Sequence, residues 1–399
     1  MWDRLLRNAR VVDPVNGRDG VMDVAVKDGR IAAVGPNLQG EASEVEDLTG
    51  LVVMPGLIDP HLHLGSMFGS AYGTRMAAGV TTCLDMAGPG DEILETSKTC
   101  GAGINVAMLE GFSPMKHCGT MTPTREQLEK FVRESLEKGA VGVKIMGGHW
   151  PLPLETSREL VKTANDMNAY VAWHAGSHTA GSNILGMREV IEAAKGQRLH
   201  LAHINAYCRG RVNPVDEESK EAIEMLRANP NLWCEAYVSP NNGTVLDCDE
   251  DGQIIDHVTR TCLETFGLTP DAAGMREAFL THRCFAIADT GFMSELVEGE
   301  AALELWEKQG MKGAGSFPVN PALSRFMVAT AKREDGSFVV DAISTDGGCI
   351  PRNVAISVGL SLVKFGALTL PEFVVKTSVN PARHLRLHDR GHLSEGAAA

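Results

Sequence analysis

The chain has 399 residues, a formal net charge of −14 and a hydrophobic fraction of 44%. That length accommodates one large α/β barrel with an accessory layer, or two ordinary domains. The acidic balance argues against nucleic acid or an anionic membrane as a partner, because nothing supplies a basic stripe. The nine cysteines lack CxxC pairs, so we expect free thiols and a cytoplasmic protein. No segment approaches the length of a membrane span.

The first fifty residues predict short strands separated by turns. Ala9–Val12 is followed by a turn, and Asp23–Val26 and Ile31–Gly35 flank the pair Asp28-Gly29. An Asp-Gly pair between two apolar runs is a strong hairpin signal. We therefore predict a small antiparallel sheet in a β domain that covers residues 1–52.

From about Leu51 the pattern changes to apolar run, loop and amphipathic helix. Eight apolar runs predict strands at Leu51–Ile58, Val80–Asp85, Ile104–Leu109, Ala140–Ile145, Tyr170–Trp173, Leu199–Ala202, Leu232–Ala236 and Val339–Ser344. Helical patterns occupy Pro123–Arg133, Glu155–Met167, Met187–Lys195 and Val215–Ala228. This alternation predicts an α/β fold, a parallel (β/α)8 barrel over residues 53–384. The long stretch between the last two strands must hold helices and functional loops.

Titratable residues end five of these eight runs, where a barrel of this kind forms its active site. They are His61 and His63, Lys144, His174, His203 and Asp346. His61 and His63 are two apart on an extended segment, so both imidazoles face one side, where they can bind a divalent transition metal. Asp59 has the same parity and either orients one histidine or caps a turn.

Two further positions allow more than one interpretation. Lys144 ends an apolar strand, and the residues alone favour a salt bridge over a carbamate formed with CO₂ that bridges two metals. His200 and His203 are three apart, so on a strand only one faces the site. We choose His203, which is nearer the C-terminal end of the strand, and interpret His200 as a packing residue.

At these residues the sequence resembles the amidohydrolase superfamily, and within it the cyclic-amidase branch of dihydroorotase, hydantoinase and allantoinase. The resemblance rests on Pro55–His63, Gly142–Lys144, His174, His203, Glu235–Asn241, Asn320–Ser324, Ser344–Asp346 and Asn380–Arg383. It implies a TIM barrel with a small β-sandwich built from the N-terminal segment and the C-terminal end, about residues 385–399. Because relatives continue beyond that end, we expect the small sheet to be abbreviated or the chain to be truncated.

The resemblance also implies a binuclear metal centre. One divalent ion is expected on His61, His63 and Asp346 and the other on His174 and His203, with Lys144 bridging them as N6-carboxylysine. The ions are expected to be zinc, with manganese, cobalt or iron as alternatives that suit the same ligands.

By the same resemblance, the reaction is hydrolysis of an amide C–N bond in a cyclic amide, ureide or lactam. A hydroxide that bridges the two metals attacks the carbonyl. Asp346 accepts a proton and returns it to the leaving nitrogen. His149, which stands where hydantoinases have a tyrosine, stabilises the oxyanion. Gly65 stands where dihydroorotases have an arginine for the substrate carboxylate, which argues against dihydroorotate as the substrate.

Substrate contacts are expected from loop residues. Arg209, Arg211 and Arg352 lie just beyond strands six and eight and are candidates to hold a substrate carboxylate, although loop arginines are commonly solvated. By analogy, Asn320 is expected to hydrogen-bond the substrate amide. A linear N-acyl amide or ester deacylase with the same metals remains an alternative, and a catalytically silent, assembly-forming relative ranks lower. We expect a small-molecule substrate and a homo-oligomer, a dimer or tetramer.

Overall fold

The N-terminal residues form a small mixed sheet. The structure is a computed structural model that describes residues 1–64, 78–291 and 293–399. Its first strands are β1 Trp2–Asp13, β2 Arg18–Lys27, β3 Arg30–Gly35, β4 Ala42–Asp47 and β5 Val52–Val53. β1, β2 and β3 are antiparallel, and Asp28 and Gly29 have positive φ angles of 51° and 68°, as a type I′ hairpin turn requires. β4 and β5 pair parallel to β1, so the prediction of a purely antiparallel sheet is wrong.

The last residues of the chain pack against this sheet. The backbone N–H of Ile31 donates to the carbonyl of Ala397 at 2.9 Å, and Arg30 forms an isolated bridge with Ala398. Leu393 and Ala397 are buried in the apolar core of the sheet. Residues 385–399 therefore cover the sheet without adding a strand to it.

Eight parallel strands form the barrel, and four others belong to an insertion. In chain order they are β6 Leu57–His63, β7 Val80–Ala87, β8 Asn105–Gly111, β9 Gly142–Met146, β10 Tyr170–His174, β11 Leu199–Leu201, β12 Leu232–Tyr237, β13 Thr244–Val245, β14 Phe285–Asp289, β15 Ser294–Val297, β16 Ala314–Ser316, β17 Ala342–Ser344 and β18 Gly347–Gly348. Strands β6 to β12 pair in sequence order. β17 and β18 are two halves of the eighth strand: β17 pairs with β12 and β18 pairs with β6, which closes the barrel. The predicted (β/α)8 fold is confirmed.

The helices lie between the strands much as the apolar periodicity predicts. They are α1 Gly90–Cys100, α2 Pro114–Cys118, α3 Arg125–Glu137, α4 Leu154–Asp166, α5 Ile184–Ala193, α6 Val215–Ala228, α7 His257–Thr265, α8 Ala272–Leu280, α9 Gly299–Lys308, α10 Ala322–Thr330, α11 Ala355–Lys364, α12 Leu370–Val374 and α13 Asn380–His384, with 3₁₀ turns at Pro14–Asn16 and Ile204–Tyr207 and a π-helical turn at Val375–Val379. α3 begins at a capping box: the hydroxyl of Thr124 accepts from the backbone N–H of Gln127, and the backbone N–H of Thr124 donates to Oε1 of Gln127. None of the described helices combines the length and apolar composition that crossing a bilayer requires.

The first barrel strand differs from its predicted bounds. The apolar run Leu51–Ile58 is divided, because Val52–Val53 pairs with the small sheet and the barrel strand begins at Leu57. His61 and His63 consequently lie within a strand rather than after it. Because side chains alternate between the two faces of a strand, those of His61 and His63 point to the same face.

Residues between the last two barrel strands form a small sheet with its own helices. The sheet has the order β13-β16-β14-β15, and its pairs are antiparallel. It packs with α7, α8 and α9 around a separate apolar core that contains Phe279 and Trp306. The sequence predicted helices and loops here, but it did not predict this sheet. Its first loop contributes one wall of the cavity described next.

Candidate metal centre

The C-terminal ends of the barrel strands surround a cavity of about 700 Å³. All six predicted metal ligands line it: His61, His63, Lys144, His174, His203 and Asp346. His149, Arg209, Arg211 and Arg352 also line it, whereas Asn320 does not. The closed barrel thus brings together residues that are spread over nearly 290 positions of the chain, since Asp346 lies 283 residues after His63.

One part of the cavity holds two imidazoles and a carboxylate. Nε2 of His61 lies 3.2 Å and Nε2 of His63 lies 3.1 Å from Oδ1 of Asp346. One donor atom from each of these three residues can be chosen so that all lie within 4.8 Å of one another. The backbone N–H of Asp346 donates to the carbonyl of His61 at 2.8 Å, so barrel closure fixes this approach. Two nitrogens and an oxygen at this spacing suit a divalent transition metal.

Two other imidazoles meet beside this group. Nδ1 of His174 lies 3.1 Å from Nε2 of His203, and Nε2 of His174 lies 2.8 Å from Oγ of Ser182. Nδ1 of His203 is buried and has no hydrogen-bond partner in the described part of the chain. Burial lowers the pKa of both imidazoles well below its usual range, so both rings are neutral and can act as ligands at pH 7.

His200 and His203 do not lie on one strand, so the prediction that they face opposite sides of it is wrong. β11 ends at Leu201, and His203 has a φ of +33°, in the left-handed region, so strand alternation does not extend to it. Both rings are inside the barrel, with centroids 6.4 Å and 5.1 Å from that of His61. His200 lies below His61 and places Nδ1 3.0 Å from Oη of Tyr170. It therefore packs beneath the cavity, while His203 lines it.

Lys144 is buried without an ionic partner. Its side chain is 1% exposed, and Nζ donates to the sulfur of Met86 at 3.2 Å. Among the described residues, no carboxylate lies within ion-pair distance of it, so the salt bridge favoured by the residues alone is absent. Burial lowers the pKa of Lys144 to about 8, against the opposing effect of Glu235 and Asp346. The amine is therefore partly neutral near physiological pH, which is the form that reacts with CO₂.

Glu235, a fully buried residue on β12, was not among the predicted site residues. Its Oε1 lies 2.7 Å from Nδ1 of His61 and accepts from the backbone N–H of His203 at 2.7 Å. Its Oε2 accepts from Oγ of Ser344 at 2.5 Å. Glu235 thus fixes the ring of His61 with Nε2 towards Asp346, the arrangement that outer carboxylates give to metal-binding histidines. A glutamate inside an apolar strand was the available signal.

Replacing Glu235 with glutamine should weaken metal binding by about 10- to 100-fold, because the ring of His61 loses its charged anchor. Burial alone would raise the pKa of Glu235, but His61 and His200 lower it well below its usual range, so an anion is replaced by a neutral group. Competition with a chromogenic chelator measures the change. Glu110→Gln is a matched control, since Glu110 is also buried but accepts from Gly90. Unchanged affinity in Glu235→Gln would refute the orienting role.

Arg352 is engaged with Asp346. Its Nη2 lies 2.7 Å from Oδ2 of that carboxylate, and its Nε donates to the carbonyl of the same residue. Burial would raise the pKa of Asp346, but Arg352 and then His61 lower it well below its usual range. Only 4% of Arg352 is exposed, and its guanidinium is paired with Asp346. It is therefore not free to hold a substrate carboxylate, the role for which it was a candidate.

Arg209 and Asn320 form one hydrogen-bonded group with Tyr237. Nε of Arg209 donates to Oδ1 of Asn320 and its Nη2 donates to Oη of Tyr237, both at 2.8 Å. Asn320 is 4% exposed and its amide donates to the carbonyl of Pro240 at 3.0 Å. Asn320 lies behind the cavity wall and holds Arg209, so the structure does not place it where we expected it to meet a substrate amide.

His149 lines the cavity, whereas Asp59 joins two strands of the barrel. The ring of His149 lies edge-on to that of His174 with centroids 5.1 Å apart, and burial lowers the pKa of His149 to about 4. Among the described residues, no imidazole is hydrogen-bonded to Asp59. Its Oδ1 accepts from the backbone N–H groups of His61 and Thr345, each at 3.2 Å. It joins the first and eighth strands, and burial raises its pKa to about 7. Gly65 lies outside the described residues.

Comparison with known sequences finds proteins that this chain resembles. Residues 52–212 match the model of the amidohydrolase family. A dihydroorotase of Streptococcus pneumoniae serotype 4 is 34% identical over 200 residues, which is 47% of this chain and 45% of that one. The aligned part thus spans less than half of that relative. A dihydroorotase of Lactococcus lactis subsp. lactis is 25% identical over 434 positions, covering 99% of this chain and 88% of that one. The resemblance to amidohydrolases and their cyclic-amidase branch is confirmed.

Comparison with solved structures agrees on the fold. N-acyl-D-glutamate deacylase from Bordetella bronchiseptica superposes with a TM-score of 0.70 at 16% identity, over 100% of this chain and 89% of that one. That protein was solved with zinc and a phosphonate inhibitor that mimics the tetrahedral intermediate of its reaction. At this identity the likeness extends to the barrel fold and its accessory sheet.

Proposed function

We propose that this chain, whose residues 52–212 match the amidohydrolase family, hydrolyses an amide C–N bond in a cyclic amide, ureide or lactam. The observation that carries the proposal is the convergence of four histidines, a carboxylate and an unpaired buried lysine on one cavity. The dihydroorotases it resembles support a cyclic amide as the substrate.

The donor set fits two divalent metal ions. His61, His63 and Asp346 would hold one, His174 and His203 the other, and Lys144 as N6-carboxylysine would join them. Such ions, when bound, supply Lewis acidity that activates water at neutral pH and polarises the amide carbonyl. We propose zinc as the native metal, because imidazole and carboxylate donors suit it.

The side chains of this chain would then move the protons and hold the substrate. Asp346 accepts a proton from the attacking water at its carboxylate and delivers it to the leaving nitrogen. Arg352 keeps that carboxylate fixed through the 2.7 Å ion pair. His149 is neutral at pH 7 and can donate an N–H to the oxyanion that forms at the attacked carbonyl.

Hydrolysis of a linear N-acyl amide or ester is the second candidate. The cavity of about 700 Å³ is larger than a single five- or six-membered ring requires, so it accommodates an extended acyl group as well. A catalytically silent, assembly-forming relative ranks below both, since every proposed ligand is present and faces the cavity. We also propose that the chain forms a homo-oligomer, which light scattering tests. We propose that it is cytoplasmic, which cell fractionation tests.

Metal analysis and a substrate screen test the main proposal. The purified chain should contain about two equivalents of divalent metal, and chelation should abolish hydrolysis that added zinc restores. The screen covers hydantoins, dihydropyrimidines, lactams and ureides alongside N-acyl amino acids. Fewer than one tightly held equivalent would exclude the binuclear centre. Turnover of linear amides alone would select the second candidate.

A further inference from the structure

Arg211 lines the cavity, and its guanidinium has no partner in the described part of the chain. Three arginines line that cavity, and two of them are engaged: Arg209 with Asn320 and Tyr237, and Arg352 with Asp346. Arg211 makes no hydrogen bond or ion pair with any of the described residues, and it is an exposed residue. A free cation on the wall of a reaction cavity is available to a ligand.

The loop that carries Arg211 is held in one conformation. Glu218, which is fully buried, accepts from the backbone N–H of Gly210 at 2.7 Å, of Val212 at 2.8 Å and of Asn213 at 3.1 Å. These three bonds flank Arg211 on both sides, so the arginine is presented by a fixed backbone. Because the backbone is already ordered, only the side-chain rotamers of Arg211 remain to be fixed when a ligand binds.

The charges around Arg211 favour an anion. Although part of Arg211 is exposed, desolvation by the surrounding protein and then the nearby Arg209 lower its pKa. A guanidinium nevertheless stays protonated at physiological pH. Of the cavity carboxylates near the loop, Asp256 is committed to capping α7, where it accepts from the backbone of Thr259 and the hydroxyl of Thr244. Glu218 lies close enough to act electrostatically on Arg211, but its oxygens accept from the backbone of the loop. The N–H groups of the Arg211 guanidinium therefore remain available to a carboxylate of a ligand.

We propose that Arg211 binds a carboxylate of the substrate, and therefore that the hydrolysed amide is an acidic one. A guanidinium donates two parallel N–H bonds to a carboxylate, which gives both affinity and orientation. Arg209, fixed by Tyr237 and Asn320, adds a second positive charge beside it. The claim that an acidic amide is hydrolysed rests on the proposed function. The claim that Arg211 binds a carboxylate does not.

Matched substrate pairs test the specificity. The pairs are hydantoin-5-acetate with hydantoin-5-acetamide, and N-acetylalanine with N-acetylalaninamide, assayed with the metal-loaded protein. In the unchanged protein the carboxylate member should have the higher kcat/KM. Arg211→Gln should lower kcat/KM for that member by about 10- to 100-fold and change the amide member by less than about twofold. For the carboxylate member, the kcat/KM of Arg211→Lys should lie between those of the unchanged protein and Arg211→Gln. Lysine keeps the positive charge but cannot donate two parallel N–H bonds.

Binding without turnover separates this inference from the proposed reaction. Calorimetry of the metal-free protein with hydantoin-5-acetate should show binding that Arg211→Gln weakens and Arg133→Gln does not. Arg133 is a matched control, as an exposed arginine on α3 outside the cavity. If no amide is hydrolysed but this difference persists, the proposed reaction fails and the carboxylate site stands. Equal losses for both members of a pair, or unchanged carboxylate binding in Arg211→Gln, would overturn the carboxylate site.

Discussion

Replacing Asp346 with asparagine should lower kcat by about 10²- to 10⁴-fold, the range for loss of a general acid–base group. Asparagine keeps an oxygen that can accept from Arg352, but it cannot take up a proton at neutral pH. The pKa of Asp346 is held well below its usual range, so the unchanged residue is a carboxylate throughout the neutral range. The comparison uses whichever amide the screen identifies, with metal content measured on the same samples.

Two measurements keep that result interpretable. Asp335→Asn changes an exposed carboxylate that accepts from Ser337 and should leave kcat unaltered. Thermal unfolding of Asp346→Asn reports whether the ion pair with Arg352 was lost together with the barrel closure around it. A folded, metal-loaded Asp346→Asn variant with full activity would show that another group moves the proton.

Replacing Lys144 with alanine should lower activity by more than about 100-fold, because even the loss of an outer partner of a ligand costs 10- to 100-fold. The truncated side chain leaves space beside His174, on the neighbouring strand, for a small acid. Acetate or propionate at millimolar concentration should therefore restore part of the activity in a saturable way, by replacing the missing carbamate. Activity is measured against acid concentration at constant ionic strength.

Lys376 provides the matched control for that experiment. It is fully buried, burial lowers its pKa to about 7, and its amine donates to the carbonyl of Val340 while lying 4.1 Å from the ring centroid of Phe338. Lys376→Met should reduce stability yet leave the activity of the folded protein insensitive to added acids. Full activity of Lys144→Ala in the absence of any acid would contradict the bridging role.

The sequence predicted most of the barrel because local periodicity decides it. Helix Val215–Ala228 has its predicted bounds, and His61 and His63 share a face because strand alternation is strict. His203 lines the cavity for a reason that alternation did not supply, since its left-handed backbone turns the chain after β11. The position of a strand end is set by its neighbours in the sheet, which no local pattern reveals.

Other features depend on partners far away in the chain. Glu235 was recognisable as a charged residue in an apolar strand, but its role follows from contacts with β6, with the turn after β11 and with β17. Composition did not distinguish Arg209, Arg211 and Arg352, because only the folded chain shows which guanidinium is already engaged. The inserted sheet was missed because its strands contain only two to five residues.

The split eighth strand also sets when this site can exist during biosynthesis. Asp346 is made 283 residues after His63. At about 5–20 residues per second, roughly 15 to 60 seconds separate the two on the ribosome. Throughout that interval the nascent chain contains His61 and His63 but not Asp346, and the pairing of β18 with β6 has not yet formed. Assembly of the proposed ligand set is therefore a late event, and a chain released before Asp346 would lack both this carboxylate and the strand β18 that closes the barrel.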